Sequence, residues 1–433
     1  MRKSLAAVAG LAAVGLALAG CAGSVDEPGG NNGDTGNNGS GDSQVEVFTW
    51  WASGSEKVGL DALVGVFNSQ YPDVEFVNAS VAGGAGSNAK AALASRLEAN
   101  DPPDSFQAHA GAELTDYIEA GQLQDLSGFF SDEGLSSVFP ASLIERITVD
   151  GKIYSVPSNI HRANVTWVNT AVLEAAGVDA TKAPASIDAW LADLEKVKQS
   201  GVDTPLALGT EWTQMQLFET VLLADLGADG YSGLWTGSTS WDDAGVAAAI
   251  DHYGQLLEYV NSDFTGLDWD AATQILIDGA AAYNVMGDWA EAAFAQAGWT
   301  YGTEYTTWAS AGTEGTFDFL ADSFTLPVGA PDEAAAYDWL RTVSSADGQK
   351  AFNQAKGSIP ARTDASASDY GPYQQTAIQS WSTDTVVSSL AHGAAAKISW
   401  STDISSAIGK FGSDRDAASL QTALVDAAAK ALG

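Results

Sequence analysis

The stretch VEVFTWWASGSE, residues 45–56, begins as an alternating strand and ends in two adjacent tryptophans followed by a Ser/Gly turn. Neighbouring side chains of a strand point to opposite faces. Trp50 and Trp51 therefore cannot share one core layer. Either the sheet is buried on both faces, with one tryptophan in each core, or the end of the strand forms a platform for a ligand.

Helical and extended patterns alternate after this stretch. The predicted elements are a helix over 56–70, a strand over 73–81, a helix over 87–101, a strand over 105–109 and a helix over 111–121. A Ser or Asn cap would open the second helix, and Gly121 would end the third. This β-α-β-α-β-α order predicts a parallel sheet with helices on both faces.

Large and polar side chains stand where two of these strands end. Trp50 and Trp51 follow the first strand, and Gln107 and His109 close the third. In open parallel sheets, ligands bind beyond the carboxyl ends of the strands. The sequence therefore favours the platform hypothesis at this edge.

The rest of the chain changes in character. Extended stretches over 151–169 and 317–329 flank a region, about 186–297, in which helical patterns dominate. Residues 280–289 predict a buried strand followed by a turn. The last 50 residues are rich in alanine and predict helices.

The N-terminus predicts export and lipid attachment. Two basic residues precede an apolar run over 5–19, which is typical of a signal peptide over 1–20. The LAGC ending resembles a bacterial lipobox, which implies cleavage before Cys21 and lipid on its sulfur; the alternative is a plain signal peptide with an incidental cysteine. Residues 21–43 are Gly, Asn, Ser and Asp with little apolar content and predict a flexible tether.

The composition excludes several classes of partner. The chain has 433 residues, enough for two domains, with 55 acidic and 19 basic residues and a net charge of −36. This charge argues against nucleic acid and against docking of the folded body on anionic lipid. Cys21 is the only cysteine, so no disulfide can form within the chain.

Nine motifs together resemble those of extracellular sugar-binding proteins of bacterial ABC importers, in particular the glucose/mannose-binding subfamily. They are WWASGSE (50–56), DPPDSFQAHAG (101–111), YSVPSNIHRANVTW (154–167), LGTEWTQ (208–214), NVMGDW (284–289), LADSFTLP (320–327), SADGQKAF (345–352), KGSIPARTD (356–364) and SLAHGA (389–394). The similarity runs from about residue 44 to about 395, with the motifs in the family's order.

This resemblance implies an α/β, two-lobe periplasmic-binding-protein-like fold of type II, with hinge crossings and a ligand cleft between the lobes that closes on binding. Lobe one would comprise 44–154 plus 323–362, and lobe two 160–318 plus 366–433. The crossings would lie near 155–160, 318–324 and 360–366. The two extended stretches fall at the first two of these places.

A hexose has flat apolar faces and a rim of hydroxyl groups, so its site needs an aromatic wall and fixed polar groups. The family pattern maps the wall onto Trp50, Trp51, Trp269 and Trp289. It maps the groups that bond hydroxyls onto Glu56, Gln107, His109, Asp322, Lys356 and His392. Each of these residues could instead be structural: a core tryptophan, a charge at a helix start or a solvated lysine.

Other candidates receive a structural interpretation. Trp212 is assigned to the core, His161 to the hinge or the site, and His252 to a solvated helix face. The four histidines show no metal-binding spacing, so no metal is expected.

Competing functions stay open at this point. A glycoside hydrolase would place two carboxylates, for which Glu56 and Asp322 are available, across a glycosidic bond. No nucleophile elbow or P-loop is present. A receptor for a peptide or a short oligosaccharide is the second alternative. The favoured prediction is a monomeric, lipid-anchored receptor without cofactor or catalysis, which delivers a glucose- or mannose-like hexose to a membrane permease.

Overall fold

A computed structural model describes residues 43–82 and 86–433. The predicted signal peptide, Cys21 and almost all of the predicted tether lie outside the described residues. The strands are β1 (Ser43–Thr49), β2 (Val74–Ser80), β3 (Ser105–His109), β4 (Thr148–Val149), β5 (Lys152–Ile153), β6 (Ser155–Pro157), β7 (His161–Arg162), β8 (Val165–Asn169), β9 (Leu206–Ala207), β10 (Tyr283–Val285), β11 (Tyr305–Ala309), β12 (Thr316–Leu320), β13 (Asp322–Thr325) and β14 (Thr385–Ser388).

The helices are α1 (Gly54–Gln70), α2 (Ser87–Glu98), α3 (Leu114–Glu119), α4 (Ser127–Asp132), α5 (Ala141–Arg146), α6 (Thr170–Ala175), α7 (Ile187–Gln199), α8 (Glu211–Thr236), α9 (Ala244–Leu256), α10 (Trp269–Ile277), α11 (Glu291–Gln296), α12 (Glu333–Ser344), α13 (Ala346–Lys356), α14 (Pro372–Thr383), α15 (Ile398–Asp414) and α16 (Ala417–Leu432). Short 3-10 helices include Asp288–Ala290, between β10 and α11.

The N-terminal half of the prediction is confirmed in its main features. The first sheet has the order β2-β1-β3-β13-β6, and β1 pairs in parallel with both β2 and β3. The sheet is not purely parallel, because β13 pairs antiparallel with β3 and β6. The predicted Ser or Asn cap of α2 is wrong: Gly86 precedes this helix with a φ of 88° and offers no side-chain oxygen.

Two further sheets of more than two strands are built from β7 to β12 and β14, without β13. One has four strands in the order β11-β8-β10-β9, and the other has three in the order β14-β12-β7. Helix α8 packs against α9, α15 and β14 and is buried on nearly every side up to its break at Gly227, where the backbone leaves the helical region (φ 68°, ψ 173°). It is a core element that also carries buried polar side chains, among them Gln216 and Glu219.

The chain passes between the first sheet and the three-stranded sheet along extended backbone. One passage runs from Pro157, in the first sheet, to His161, in the three-stranded sheet. A second passage turns at Ala321, between β12 and β13. Ile160 and Ile359 form a bridge beside the first passage. Residues next to these turns therefore lie where the two halves meet.

Aromatic side chains fill the cores on either side of this junction. Trp339 packs against Phe67 and Phe324, with ring centres 5.8 and 5.1 Å apart. Tyr253 packs against Phe218 and Phe411, at 5.3 and 5.6 Å. Each large apolar side chain buried in this way contributes roughly 1.5–3 kcal/mol to stability.

Within 43–82 and 86–433, every helix is too short or too polar to span a bilayer.

Candidate functional site

The two adjacent tryptophans lie just beyond β1, which ends at Thr49. Because the strand has ended before them, their side chains need not point to opposite faces of the sheet. Trp51 is fully buried and packs against Phe352, with ring centres 5.0 Å apart. Trp50 lies 4.9 Å from the ring of His109. Trp51 therefore serves the core, and both rings also form part of one cavity wall.

Nine of the ten predicted side chains surround this cavity, which has a volume of about 40 Å³. They are Trp50, Trp51, Glu56, His109, Trp269, Trp289, Asp322, Lys356 and His392. The wall is completed by Gly86, His161, Trp212, Asp268 and Leu320. Ordinary small-molecule sites have roughly 300–1,000 Å³. The cavity is therefore smaller than an ordinary small-molecule site.

The tenth residue, Gln107, lies behind the wall. Its Nε2 donates to Oδ1 of Asp322 at 2.9 Å, and its Oε1 accepts from the backbone N–H of Trp50 at 3.2 Å. Its polar atoms therefore bond to two residues of the cavity wall, Asp322 and Trp50. The sequence placed Gln107 at the correct sheet edge, but its amide reaches the acid of β13 instead of the cavity.

Asp322 begins β13 and is held on both oxygens. Besides Gln107, Nδ2 of Asn159 donates to its Oδ2 at 2.8 Å, and Nε2 of His161 lies 3.3 Å from the same oxygen. Burial alone would raise the pKa of Asp322, but His161, Lys356 and His109 outweigh burial and lower the pKa below its usual range. The cavity therefore contains an ionised carboxylate.

Glu56 and Lys356 form an ion pair across the cavity wall. Nζ of Lys356 lies 3.1 Å from Oε1 of Glu56, and the lysine is only 1% exposed. Burial raises the pKa of Glu56, although the ammonium group acts in the opposite direction. This wall thus offers a donor with three hydrogens next to a carboxyl acceptor.

Lys356 is placed by the end of its helix. It is the last residue of α13, and Gly357 follows with a φ of 90°, a conformation that favours glycine. A β-carbon on Gly357 would lie 2.9 Å from the carbonyl oxygen of Asp288 and 2.8 Å from Cβ of Glu291. The Lys-Gly pair therefore brings α13 into close contact with the segment that carries Trp289.

Two histidines of the cavity have one ring nitrogen held by a carboxylate. Nδ1 of His109 lies 2.8 Å from Oε2 of Glu113, and Nδ1 of His161 contacts Asp288. Burial alone would raise the pKa of Glu113, but Lys90 and His109 lower it to about 2. For His161, Asp288 and Asp322 outweigh burial and raise the pKa. Both rings therefore have fixed orientations.

Tryptophans form the opposite wall. Trp289 lies 5.0 Å from the ring of His392 and 6.2 Å from the ring of Trp212. Trp269 is the first residue of α10, where Asp268 caps its N–H at 2.8 Å. Helix α10 and strand β10 thus account for the twenty residues from Trp269 to Trp289, and the rings of both tryptophans line the same cavity.

Two interpretations of the sequence need correction, and one residue of the cavity wall was missed. Trp212, assigned to the core, lies in the cavity wall, and its Nε1 donates to Oδ1 of Asp268 at 3.0 Å. His252, assigned to solvent, lies 2.8 Å from Asp225 and 3.4 Å from Asp188. Asp268 was missed, although its position before Trp269 is a recognisable helix cap.

The arrangement suits a small polyhydroxylated ligand. Indole faces supply apolar contact, while an ionised carboxylate, an ammonium group and imidazoles supply acceptors and donors. Among the described residues, no group of His, Cys, Asp and Glu side chains has the arrangement of a metal site.

Comparison with known proteins places this geometry in context. Residues 51–350 match the family model of the bacterial extracellular solute-binding proteins. An uncharacterised extracellular-binding protein of an ABC transporter from Pyrococcus horikoshii is 34% identical over 90% of this chain and 88% of its own length. A xylose/arabinose-binding protein from Haloferax volcanii is 32% identical over 76% of this chain and 72% of its own.

The fold has solved counterparts as well. A chitin oligosaccharide binding protein has a TM-score of 0.78 and 20% identity, covering 90% of this chain and all of the other. This likeness confirms the predicted two-lobe α/β fold.

Proposed function

The chain belongs to the bacterial extracellular solute-binding protein family, and we propose that it is the sugar receptor of an ABC importer. Members of this family bind solutes outside the cytoplasm and are not enzymes. The observation that carries the proposal is the cavity itself. Five tryptophans meet an ionised Asp322 and the ion pair of Glu56 and Lys356 there.

The proposed ligand is a single sugar ring, a glucose- or mannose-like hexose. Flat indole faces match the apolar faces of a pyranose, and charged groups make the stronger hydrogen bonds to hydroxyls. The similarity to a xylose/arabinose-binding protein makes a pentose the natural competitor.

A short oligosaccharide is a second candidate, favoured by a neighbouring cleft. This cleft has a volume of about 1,000 Å³ and shares Trp212 and Asp268 with the central cavity. Its other walls come from α2, α3 and α15. A ligand of two or more rings would place one ring in the cavity and continue past Trp212 into the cleft.

We propose that binding closes two lobes about the crossings. Lobe one is 44–154 plus 323–362, lobe two is 160–318 plus 366–433, and the crossings lie near 155–160, 318–324 and 360–366. The passages at Pro157–His161 and at Ala321 support the first two crossings. The small volume of the cavity supports closure. A sugar would enter an open form and add contacts available only in the closed form.

The receptor would work as a monomer, held at the outer face of the membrane by lipid on Cys21. The closed form would present its surface to the permease. The resemblance of LAGC to a lipobox supports this anchor.

The hydrolase alternative is disfavoured by the ion pair of Glu56. Glycoside hydrolysis needs one carboxyl group as a general acid and a second as nucleophile or base. Glu56 accepts from Nζ of Lys356 at 3.1 Å and is therefore not placed as a proton donor, and Asp322 accepts from Gln107 and Asn159. These contacts fit fixed acceptors in a binding site.

Thermal unfolding of the full chain against a panel of hexoses, pentoses, chitin and maltose oligosaccharides, peptides and metal ions tests the function. A ligand at a thousand times its dissociation constant adds about 4 kcal/mol to stability. A large upward shift with one or two monosaccharides is expected. A shift only with oligosaccharides would support the second candidate, and a shift only with peptides or metal ions would refute a sugar receptor.

A further inference from the structure

His392 presents an unusual pair of ring nitrogens. The residue is 2% exposed and lines the cavity. Its Nδ1 lies 2.8 Å from Oγ of Ser389, while its Nε2 is buried and has no hydrogen-bond partner among the described residues. Nε2 is thus the ring nitrogen without a partner among the described residues, on a side chain that lines the cavity. Whether it donates or accepts depends on which nitrogen carries the proton.

The hydroxyl group of Ser389 is hydrogen-bonded to Glu219, a fully buried residue of α8. Oγ of Ser389 lies 2.9 Å from Oε1 and 3.2 Å from Oε2 of Glu219. The backbone N–H groups of Leu390 and Ala391 donate to Oε2 at 2.6 and 2.9 Å. Several donors converge on this side chain, which is the environment of a carboxylate anion. The Ser389 hydroxyl therefore gives its one hydrogen to Glu219.

The direction of the Ser389 hydrogen bond determines which ring nitrogen of His392 carries the proton. With its hydrogen on Glu219, Oγ of Ser389 can only accept from His392. Nδ1 must then carry the imidazole proton, and Nε2 must present a lone pair. Burial, together with His109, His161 and Lys90, lowers the pKa of His392 well below its usual range. The ring is therefore neutral, and this tautomer is defined.

A second buried carboxyl group is a neighbour of Glu219. Asp318 of β12 is 1% exposed, and neither of its oxygens has a hydrogen-bond partner among the described residues. The nearby Arg162 donates instead to Asn164 and to the carbonyl of Thr316.

When two buried carboxyl groups are neighbours, ionisation of both is disfavoured. Glu219 has the donors, so Asp318 keeps its proton. Burial and the neighbouring Glu219 raise the pKa of Asp318 well above its usual range, which agrees with this assignment.

We propose that Glu219, which accepts the hydrogen of Ser389, holds Ser389 as an acceptor for Nδ1 of His392 and thereby presents Nε2 to the ligand as a hydrogen-bond acceptor. Glu219 is then a positioning residue for specificity, since the ligand must offer a hydroxyl donor to Nε2. The ligand part of this inference rests on the proposed function. The proton arrangement can be tested without any ligand.

The first experiment observes the tautomer directly. Long-range ¹H–¹⁵N NMR of the ¹⁵N-histidine-labelled full chain distinguishes protonated from unprotonated ring nitrogens, and the signals of His392 are identified by their loss in His392→Asn. Spectra are recorded above pH 7, because burial raises the pKa of Glu219 to about 7. We expect Nδ1 to be protonated and Nε2 unprotonated in the unmodified protein. A protonated Nε2 would overturn the proposal, even if every variant failed to fold.

Two isosteric variants then separate the roles of the acids. In Glu219→Gln, the amide oxygen is retained by the N–H groups of Leu390 and Ala391, so the NH₂ group faces Ser389. The serine hydroxyl turns to His392, and the tautomer switches to Nε2–H. In Asp318→Asn, an uncharged amide replaces an uncharged acid that contacts neither Ser389 nor His392, so the tautomer is unchanged. Ser388→Ala is the matched control, because that side chain makes none of these contacts.

Affinity provides the functional measurement. Titration calorimetry uses D-glucose, D-mannose and D-xylose in turn. We expect Glu219→Gln to weaken binding at least about tenfold and Asp318→Asn to stay within about twofold. An unchanged tautomer and affinity in Glu219→Gln would refute the positioning role. If none of these sugars binds the unmodified protein, the proposed ligand is wrong, and the NMR result alone decides the proton arrangement.

Discussion

Nε2 of His161 lies 3.3 Å from Oδ2 of Asp322. His161 begins β7 in the three-stranded sheet, and Asp322 begins β13 in the first sheet. The contact therefore joins two residues placed by two separate passages of the chain. It also leaves Asp322 ionised at the edge of the cavity.

Removing the charge of Asp322 should weaken ligand binding. Hydrogen bonds to charged groups contribute about 1.5–3 kcal/mol, so Asp322→Asn should reduce the affinity for the bound sugar about 10- to 150-fold. Titration calorimetry measures the change. Asp278→Asn, on an exposed residue after α10, is the matched control and should bind normally. Unchanged affinity in Asp322→Asn would contradict its role as an acceptor.

Removing one indole of the wall should have a comparable effect. Trp269→Ala should lower the affinity by about 2 kcal/mol or more, as is typical of a buried aromatic contact residue. Trp299→Ala is the control, because Trp299 packs against Phe294 outside the cavity. Circular dichroism verifies that both variants fold. Equal affinities of the two variants would place the sugar elsewhere.

The Glu113 ion pair should make the protein sensitive to acid. The pKa of Glu113 falls from 4.5 to about 2 in the fold because Lys90 and His109 outweigh burial. A lowered pKa adds stability that is present above the unfolded pKa and is lost as the pH falls through the folded pKa. The free energy of unfolding should therefore drop by about 3 kcal/mol between pH 4.5 and 2.

Urea unfolding at several pH values tests this linkage. Glu113→Gln should be less stable than the unmodified protein at neutral pH, and the difference should vanish as the pH approaches 2. A difference that does not depend on pH would show that the ion pair makes no such contribution.

Gly86 should tolerate no β-carbon. Its φ is 88°, and a β-carbon would lie 2.8 Å from the ring of Trp50. Gly86→Ala should destabilise the protein by about 1–3 kcal/mol and weaken sugar binding, because Trp50 must move. Gly65→Ala, inside α1 with open space around it, should instead stabilise by about 0.5–1 kcal/mol. Thermal unfolding of the two variants gives the comparison.

Cys21 should hold the protein on the membrane. In the native host, Cys21→Ser should shift the protein from the membrane fraction to the medium or periplasm, because the sulfur that would carry lipid is lost. Fractionation followed by immunoblotting measures this shift. Ser24→Ala is a neighbouring control that should stay on the membrane. Retention of Cys21→Ser on the membrane would refute the anchor.

Local patterns predicted much of the first sheet. The alternation over β1 and the burial of β3 arise from residues close in sequence, so their strands and the helices between them could be read directly. The antiparallel insertion of β13 could not, because it pairs with β3 across more than 200 residues. The local periodicity of a strand does not indicate which distant strand it pairs with.

The roles of individual residues likewise depended on contacts that are distant in sequence. Gln107 stands at the predicted edge, yet its amide is used by Asp322, 215 residues away. Trp212 lies in the first turn of a buried helix and looks like a core residue, but its side chain lines the cavity.

By itself, the sequence determined the family, the strand and helix order of the first sheet, and the residue types of the site, because these follow from local periodicity and from motifs in order. Only the tertiary structure decided which polar atoms already have hydrogen-bond partners within the protein. The side-chain amides of Gln107 and Asn159 donate to Asp322, and Ser389, itself bonded to Glu219, contacts Nδ1 of His392. A hydrogen bond between side chains distant in sequence depends on packing within a few tenths of an ångström, which only the assembled fold sets.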